Sequence, residues 1–421
     1  MRRILFFYFI ITGLLFFTLS GTLLAEEVKL GFIYPMSGPV AQPGLDNKHV
    51  IELALDIINT TKYKHLNLPL AKSEGLPNLG GAKVTAVITD HQGKPDLGMS
   101  EAERLITQEK VVALVGSWQS SVTETASRVA ERMQMPFLNP ESSTPSLTER
   151  GFKWFFRVSP HDVTFSEAMF ECLKELEKKR NVKLKTCALM YDDSLWGKEV
   201  SVIERNLAEK AGYKVVVDIP FRRQAISLNS EVQKLKLGKP DIFLPLAYTS
   251  DAILLARTSK QLDFNPPIIM ANDAGMIDPA YPETLGKDSD GVCTRNEFSM
   301  DLAEKKPMIK EINDLFKKRS GRNLSGTSAR CFVGVFVLCD AINRAGSTKP
   351  EAVREALKKT FFSAEQLIVP WRGVKFDEKG QNSLVDAIVV QFQGGQYYTV
   401  WPSHLATREM IYPIPKWSER K

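Results

Sequence analysis

The sequence is poor in the residue patterns that carry most enzyme chemistry. It has five histidines in 421 residues, and His49, His65, His91, His161 and His404 are scattered, with no His-x-x-x-His spacing for a helix-borne metal. No Gly-x-Ser-x-Gly elbow, Walker-type glycine loop or Gly-x-Gly-x-x-Gly fingerprint follows a strand-like run. Nucleophilic acyl transfer, phosphate cradling and dinucleotide binding therefore lack their usual carriers. No cofactor and no metal site is expected, and no residue is nominated as catalytic.

Charge of one sign is also missing as a cluster. The formal net charge is +6, and removing Arg2 and Arg3 leaves +4, spread thinly along the chain. Nothing here argues for nucleic acid. Five cysteines (172, 187, 293, 331 and 339) cannot all pair within one chain. Cys331 and Cys339 sit in the helical-looking run "CFVGVFVLC", which puts them about 12 Å apart along the axis, too far to bridge. Buried thiols are the reading for that pair, whereas Cys172 with Cys187 stays geometrically open.

Long apolar runs are absent beyond the N-terminus. "MRRILFFYFIITGLLFFTLSGTLLA" has two arginines, a run without charges, then Ala25 before "EEVKLG". This reads as a secretory signal peptide over 1–25, cleaved near Ala25, with an uncleaved membrane anchor as the alternative. No cysteine near the boundary supports lipidation.

What is present is an alternation. Short β-branched runs such as "VKLGFIY" (28–34), "KVTAVITD" (83–90), "VVALVG" (111–116) and "MPFLNP" (135–140) are separated by amphipathic helices. Ile51, Ala54, Leu55 and Ile58 fall at i, i+3, i+4 and i+7 of one such helix near 44–60. A second series begins after about residue 160 with "TCALMYD" (186–192), "YKVVVDIPF", "DIFLPLAY" (241–248) and "PPIIMAND" (266–273). Two βα series in a chain of this length predict an α/β protein of two lobes, each a parallel sheet covered by helices on both faces. The last third breaks the rhythm, with helices expected at 329–346 and 349–361 and short strands after 373. One long loop, 61–83, rich in Gly, Pro and Lys, is surface decoration or a docking element.

In an open parallel sheet, ligands bind beyond the carboxyl ends of the strands. There the first series ends in "GSWQSS" and "NPESSTPSLT" (139–148), rich in hydroxyls. Ser120 or Ser121 can cap the helix that starts at this point, but one cap needs one hydroxyl. The remaining hydroxyls, unpaired N–H groups and helix dipole suit a carboxylate. In the second series Asp273 closes "IIMAND", where a carboxylate is either a cap or turn residue or a partner for a ligand ammonium. Hydroxyls on one lobe and a carboxylate on the other would grip a zwitterion across a cleft. Trp118, Trp196 and Tyr248, also at strand ends, would wall the pocket.

The stretches "KLGFIYPMSGPVAQPG" (29–44), "GSWQSSVTETAS" (116–127), "NPESSTPSLTERG" (139–151), "FRVSPHD" (156–162), "YDDSLWGKE" (191–199) and "GVKFDEKG" (373–380) occur in this order along nearly all of the mature chain. Together they resemble the type I periplasmic solute-binding proteins of ABC importers, in the branch named for leucine, isoleucine and valine. The resemblance implies two Rossmann-like lobes with parallel sheets joined by a three-segment hinge, closing on ligand. It implies lobes at 26–160 plus 292–385 and at 161–291 plus 386–421. It assigns Ser120 and Ser143 to the ligand's carboxylate or ammonium, with backbone help at Glu141. Asp273 falls where amino-acid binders carry the acid for the ammonium, and Trp196 replaces an aromatic that closes over the ligand. Pro43 stands where relatives often have an aromatic, and Glu141 where small residues are usual. A periplasmic protein handing an amino acid, or a similar small carboxylate or amide, to an ABC permease is the function implied. The alternative is a periplasmic sensor reporting to a signalling partner.

Overall fold

The computed structural model describes residues 27–272 and 274–420. The expected signal peptide, its cleavage point and Asp273 lie outside the described residues. No helix among these residues is long and apolar enough to cross a membrane.

The first sheet contains β1 (Val28–Tyr34), β2 (Val84–Asp90), β3 (Ala113–Gly116), β4 (Phe137–Asn139) and β5 (Phe155–Arg157), all parallel, in the order β2-β1-β3-β4-β5. Alternation divides its side chains. Leu30, Phe32, Ala113 and Val115 pack under α1 (Ala41–Asn59), and Ile33, Leu114 and Phe137 face α2 (Pro95–Thr107) and α3 (Ser120–Arg132). The start of α1 presses on the loop after β1 so closely that a Cβ at Gly44 would fall 1.9 Å from the carbonyl oxygen of Pro35.

The chain then crosses into α4 (Asp162–Arg180) and the second series: β6 (Thr186–Asp192), α5 (Leu195–Ala211), β7 (Lys214–Phe221), α6 (Asn229–Gly238), β8 (Ile242–Leu246), α7 (Thr249–Gln261), β9 (Ile268–Ala271), α8 (Ala280–Leu285) and β10 (Cys293–Asn296). Strands β7-β6-β8-β9-β10 run parallel and repeat the order of the first sheet. Leaving the second sheet, the chain forms α9 (Pro307–Ser320), α10 (Gly326–Ala345) and α11 (Pro350–Lys358). The largely buried α10 lies beside α1 over the first sheet. A two-stranded ribbon, β11 (Phe362–Ser363) and β12 (Gly373–Val374), precedes the last crossing to β13 (Ile388–Gln393) and β14 (Gln396–Trp401). These two strands are antiparallel additions beyond β10, so the second sheet is mixed, while its five strands of the βα series are parallel as the sequence pattern predicted. Because β10 belongs to the second sheet, the chain leaves that sheet after Asn296 rather than at 292.

The crossings are braced against one another. Arg157 N–H donates to the carbonyl of Gly380 at 2.7 Å, and Asn382 N–H returns to the carbonyl of Arg157 at 2.9 Å. The side chain of Gln381 accepts from Arg157 Nε at 2.6 Å and donates to the carbonyl of Ser159 at 2.8 Å. All five cysteines are free and buried, which closes the Cys172–Cys187 alternative.

Candidate functional site

Both sheets have the order 2-1-3-4-5, whose reversal point lies between the first and third strands of each series. The carboxyl ends at these two points face one another across a tight, partly open cleft with a cavity volume of about 20 Å³. Trp118, Ser120, Glu141, Ser143, Trp196 and Tyr248 line it, together with Ala274 and Arg330. Six of the residues singled out in the sequence are thus brought together. Ala274 is the chain neighbour of the seventh, Asp273. A roomier groove elsewhere, bordered by Pro279, Glu283, Lys287 and Gln396, gathers none of them.

On the first lobe the wall is built by turns. Trp118 follows β3 with φ of 73°, a left-handed conformation that a bulky residue holds only when its surroundings impose it. The hydroxyl cluster divides its tasks. Thr123 Oγ1 accepts from Ser117 N–H at 2.9 Å and meets Ser142 Oγ at 2.6 Å, and Ser127 Oγ donates to the carbonyl of Thr123. Those hydroxyls hold the loop, while Ser120 and Ser143 are left on the cavity. The capping expectation fails. Gln119 is the N-cap residue of α3 without a side-chain cap, and Ser120 is already the first helical residue.

The second wall is fixed by Asn139, at the end of β4. Its Oδ1 accepts from the N–H groups of Glu141 at 3.1 Å and Ser142 at 2.9 Å, and its Nδ2 donates to the carbonyl of Ser142 at 2.7 Å. This self-bonded turn presents Glu141 inward. Glu141 is 3% exposed, and its Oε1 accepts from Tyr34 Oη at 2.9 Å and Asn47 Nδ2 at 3.0 Å. Burial pushes its carboxyl up to about 8, against the opposing pull of Arg330.

From the second lobe, Ser194 caps α5 by accepting from Gly197 N–H at 3.2 Å, which sets Trp196 in the first turn. Trp196 Nε1 donates to Asp162 Oδ1 at 3.4 Å. Tyr248, the N-cap residue of α7, lies between the two tryptophans, with ring centroids 5.3 Å from each, and Arg223 stands 5.0 Å over its ring. Beneath the cavity runs a buried charged network. Arg330 Nε pairs with Glu297 Oε1 at 2.6 Å, and Arg295 reaches Glu297 at 3.5 Å and Asp162 at 3.4 Å. Arg295 Nε also donates to Asn272 Oδ1 at 2.7 Å and stacks over Phe165 at 3.5 Å. It joins residues of both lobes to a crossing segment.

Sequence reasoning missed Arg330, Tyr34, Asn47 and Asn139. Arg330 did leave a signal: a guanidinium at the head of the apolar run "ARCFVGVFVLC" is costly to bury without a purpose. The arrangement offers hydroxyls, a helix N-terminus, aromatic faces and buried charge, a set suited to holding a small polar molecule. Among the described residues no cluster of His, Cys, Asp or Glu could hold a metal ion.

Comparison with known proteins agrees with this architecture. Leu/Ile/Val-binding protein homolog 7 of Brucella abortus is 27% identical over 395 residues, spanning 92% of this chain and 95% of its own. The branched-chain amino acid transporter substrate binding protein LivJ of Streptococcus pneumoniae, solved with isoleucine, shares the fold with a TM-score of 0.75. It is 20% identical and covers 90% of this chain and 100% of that one. A solute binding protein of an ABC transporter from Rhodopseudomonas palustris, solved with 3,4-dihydroxybenzoic acid, has a TM-score of 0.74 at 18% identity, covering 93% and 98%. Residues 27–396, most of the chain, match one family of binding proteins rather than enzymes, and the chain belongs to that family, the periplasmic binding proteins.

Proposed function

We propose that the cavity captures a small carboxylate-bearing solute, an amino acid or a similar acid or amide, between the two lobes and that the loaded protein is recognised by an ABC permease. The observation that carries this reading is the convergence of Trp118, Ser120, Glu141 and Ser143 from one lobe with Trp196 and Tyr248 from the other on one cleft. Ser120, Ser143 and the unpaired N–H groups at the start of α3 take the carboxylate. Trp118, Trp196 and Tyr248 wall the body of the ligand, and Asp273 takes an ammonium when one is present. Isoleucine and 3,4-dihydroxybenzoate, bound by the two solved relatives, have a carboxylate in common. The lobes act as the moving bodies, and because the ligand touches both it favours their closed arrangement. The N-terminal 25 residues direct export and are removed.

A thermal-shift screen of residues 26–421 against amino acids, aromatic acids and small amides tests this, since a ligand of the native state raises the melting point. Asp273→Ala should weaken an α-amino acid by more than about tenfold, the worth of a charge-assisted contact. An amino acid bound equally well by that variant removes Asp273's role. A panel in which every carboxylate is silent removes the function.

A further inference from the structure

The carboxyl of Glu141 is half satisfied. Its Oε1 is held by Tyr34 Oη and Asn47 Nδ2, but its Oε2 has no hydrogen-bond partner among the described residues although the side chain is 3% exposed. Beside it, Asn47 Oδ1 is likewise buried without a donor. With the Glu141 carboxyl ionised both open positions are acceptors, and Glu141 borders the cavity. The nearby guanidinium of Arg330 is directed elsewhere, with Nε on Glu297 and Nη1 on the backbone carbonyl of Glu141 at 3.3 Å. Glu141 Oε2 and Asn47 Oδ1 are already shielded from solvent, so an aliphatic ligand side chain would leave them without a donor, and a site built to hydrogen-bond a polar group rejects the analogue lacking it.

We infer that Glu141 selects the ligand's side chain, and that the physiological solute carries, besides its carboxylate, an N–H or O–H donor that binds Glu141 Oε2. This rests on the cavity being the ligand site. It narrows the substrate class to hydroxyl- or amino-bearing carboxylates and away from plain aliphatic amino acids. Burial pushes the ligand-free carboxyl up to about 8, and a donor on Oε2 would stabilise the anion and draw that value down, so donor binding releases a proton.

The test uses matched pairs differing by one donor: threonine with valine, lysine with norleucine, and 4-hydroxybenzoate with benzoate, each titrated calorimetrically into the purified protein. At least one donor-bearing member should bind tenfold or more tighter than its partner. Glu141→Gln places an N–H₂ group where Oε2 stood while keeping size and shape. It should reduce that preference to within about twofold, and Glu141→Ala should do the same. A preference unchanged in both variants, or donor-free members binding better to the natural protein, overturns the inference alone. Binding that survives Ser143→Ala and Trp196→Ala undiminished overturns the cavity reading beneath it. No binding by any pair overturns the inference too, since the pairs cover neutral and cationic donors on aliphatic and aromatic frames.

Discussion

Trp118 and Tyr248 meet across the cleft, ring to ring, with centroids 5.3 Å apart and planes inclined by 53°. One ring follows a strand of the first sheet and the other follows a strand of the second. Ser146 N–H reaching Glu199 Oε2 at 3.3 Å is a further contact between the lobes. The aromatic contact, unlike the Ser146–Glu199 one, is made by groups that also line the cavity.

That contact should be visible as affinity. An aromatic pair contributes about 0.5–1.5 kcal/mol beyond its buried area, so Trp118→Ala should weaken binding of a ligand found in the screen by roughly 2- to 12-fold. It should also enlarge the radius of gyration of the ligand-free protein in small-angle scattering. Unchanged affinity and unchanged size would show that the ring pair plays no part in closure.

His91 makes a pH prediction with a definite sign. Gly93 N–H donates to its Nδ1 at 3.0 Å, so Nε2 carries the proton given to the carbonyl of Ser117, also at 3.0 Å. Both nitrogens of a neutral imidazole are used, and burial lowers the group to about 4. A folded value below the unfolded one of about 6.5 means stability that is complete above pH 6.5 and lost as pH falls toward 4. The loss is up to about 3 kcal/mol. His161, also near 4, adds to it, whereas Glu141 and Glu204, both raised to about 8, act with the opposite sign. The difference between natural protein and His91→Gln in urea melts at pH 7.5 and 4.5 isolates the one group. Parallel melting behaviour at the two pH values would contradict it.

Gly44 is fixed by proximity rather than by φ. Since a Cβ there meets the carbonyl of Pro35 at 1.9 Å, Gly44→Ala must push the start of α1 away from the loop after β1. We expect a loss of about 1–3 kcal/mol in denaturant unfolding. A variant within 0.5 kcal/mol of the parent, a level about that of a neutral surface change, would mean the turn yields freely.

Arg330 tests the buried network. Replacing it with Met strips Glu297, which is fully buried, of its 2.6 Å partner and should cost roughly 3–5 kcal/mol. An unchanged urea midpoint for Arg330→Met would show that Arg295 alone satisfies Glu297.

How far the sequence led depends on the range of the interaction. Strands β1 to β4 and β6 to β9 are visible as runs because a strand covered on both faces must be apolar throughout, as Leu30–Ile33 and Ile242–Leu246 are, whereas the three-residue β5 was too short to stand out. The positions of Trp118, Ser120, Trp196 and Tyr248 followed from topology, since loops after parallel strands gather at one end. Partners that come from far along the chain were not legible. Tyr34 and Glu141 are 107 residues apart, and Glu141 and Arg330 are 189 apart. Strands were expected after 373, but the antiparallel direction of β13 and β14 was not read, because a run such as "AIVVQFQ" taken alone gives no sign of direction. The capping role of Ser120 failed by one residue, because the turn through Trp118 lets α3 begin immediately after Gln119.

The unpaired cysteines have a practical consequence. All five thiols are buried, and burial raises those of Cys172 and Cys187 to about 12, far from the reactive thiolate. The native protein should therefore be blind to maleimide dyes. Met99, on α2, and Leu237, on α6, are exposed and stand on opposite lobes. Cysteines placed there would be the pair that takes up a donor and an acceptor fluorophore, so that opening and closing can be read as a change of colour in a single molecule.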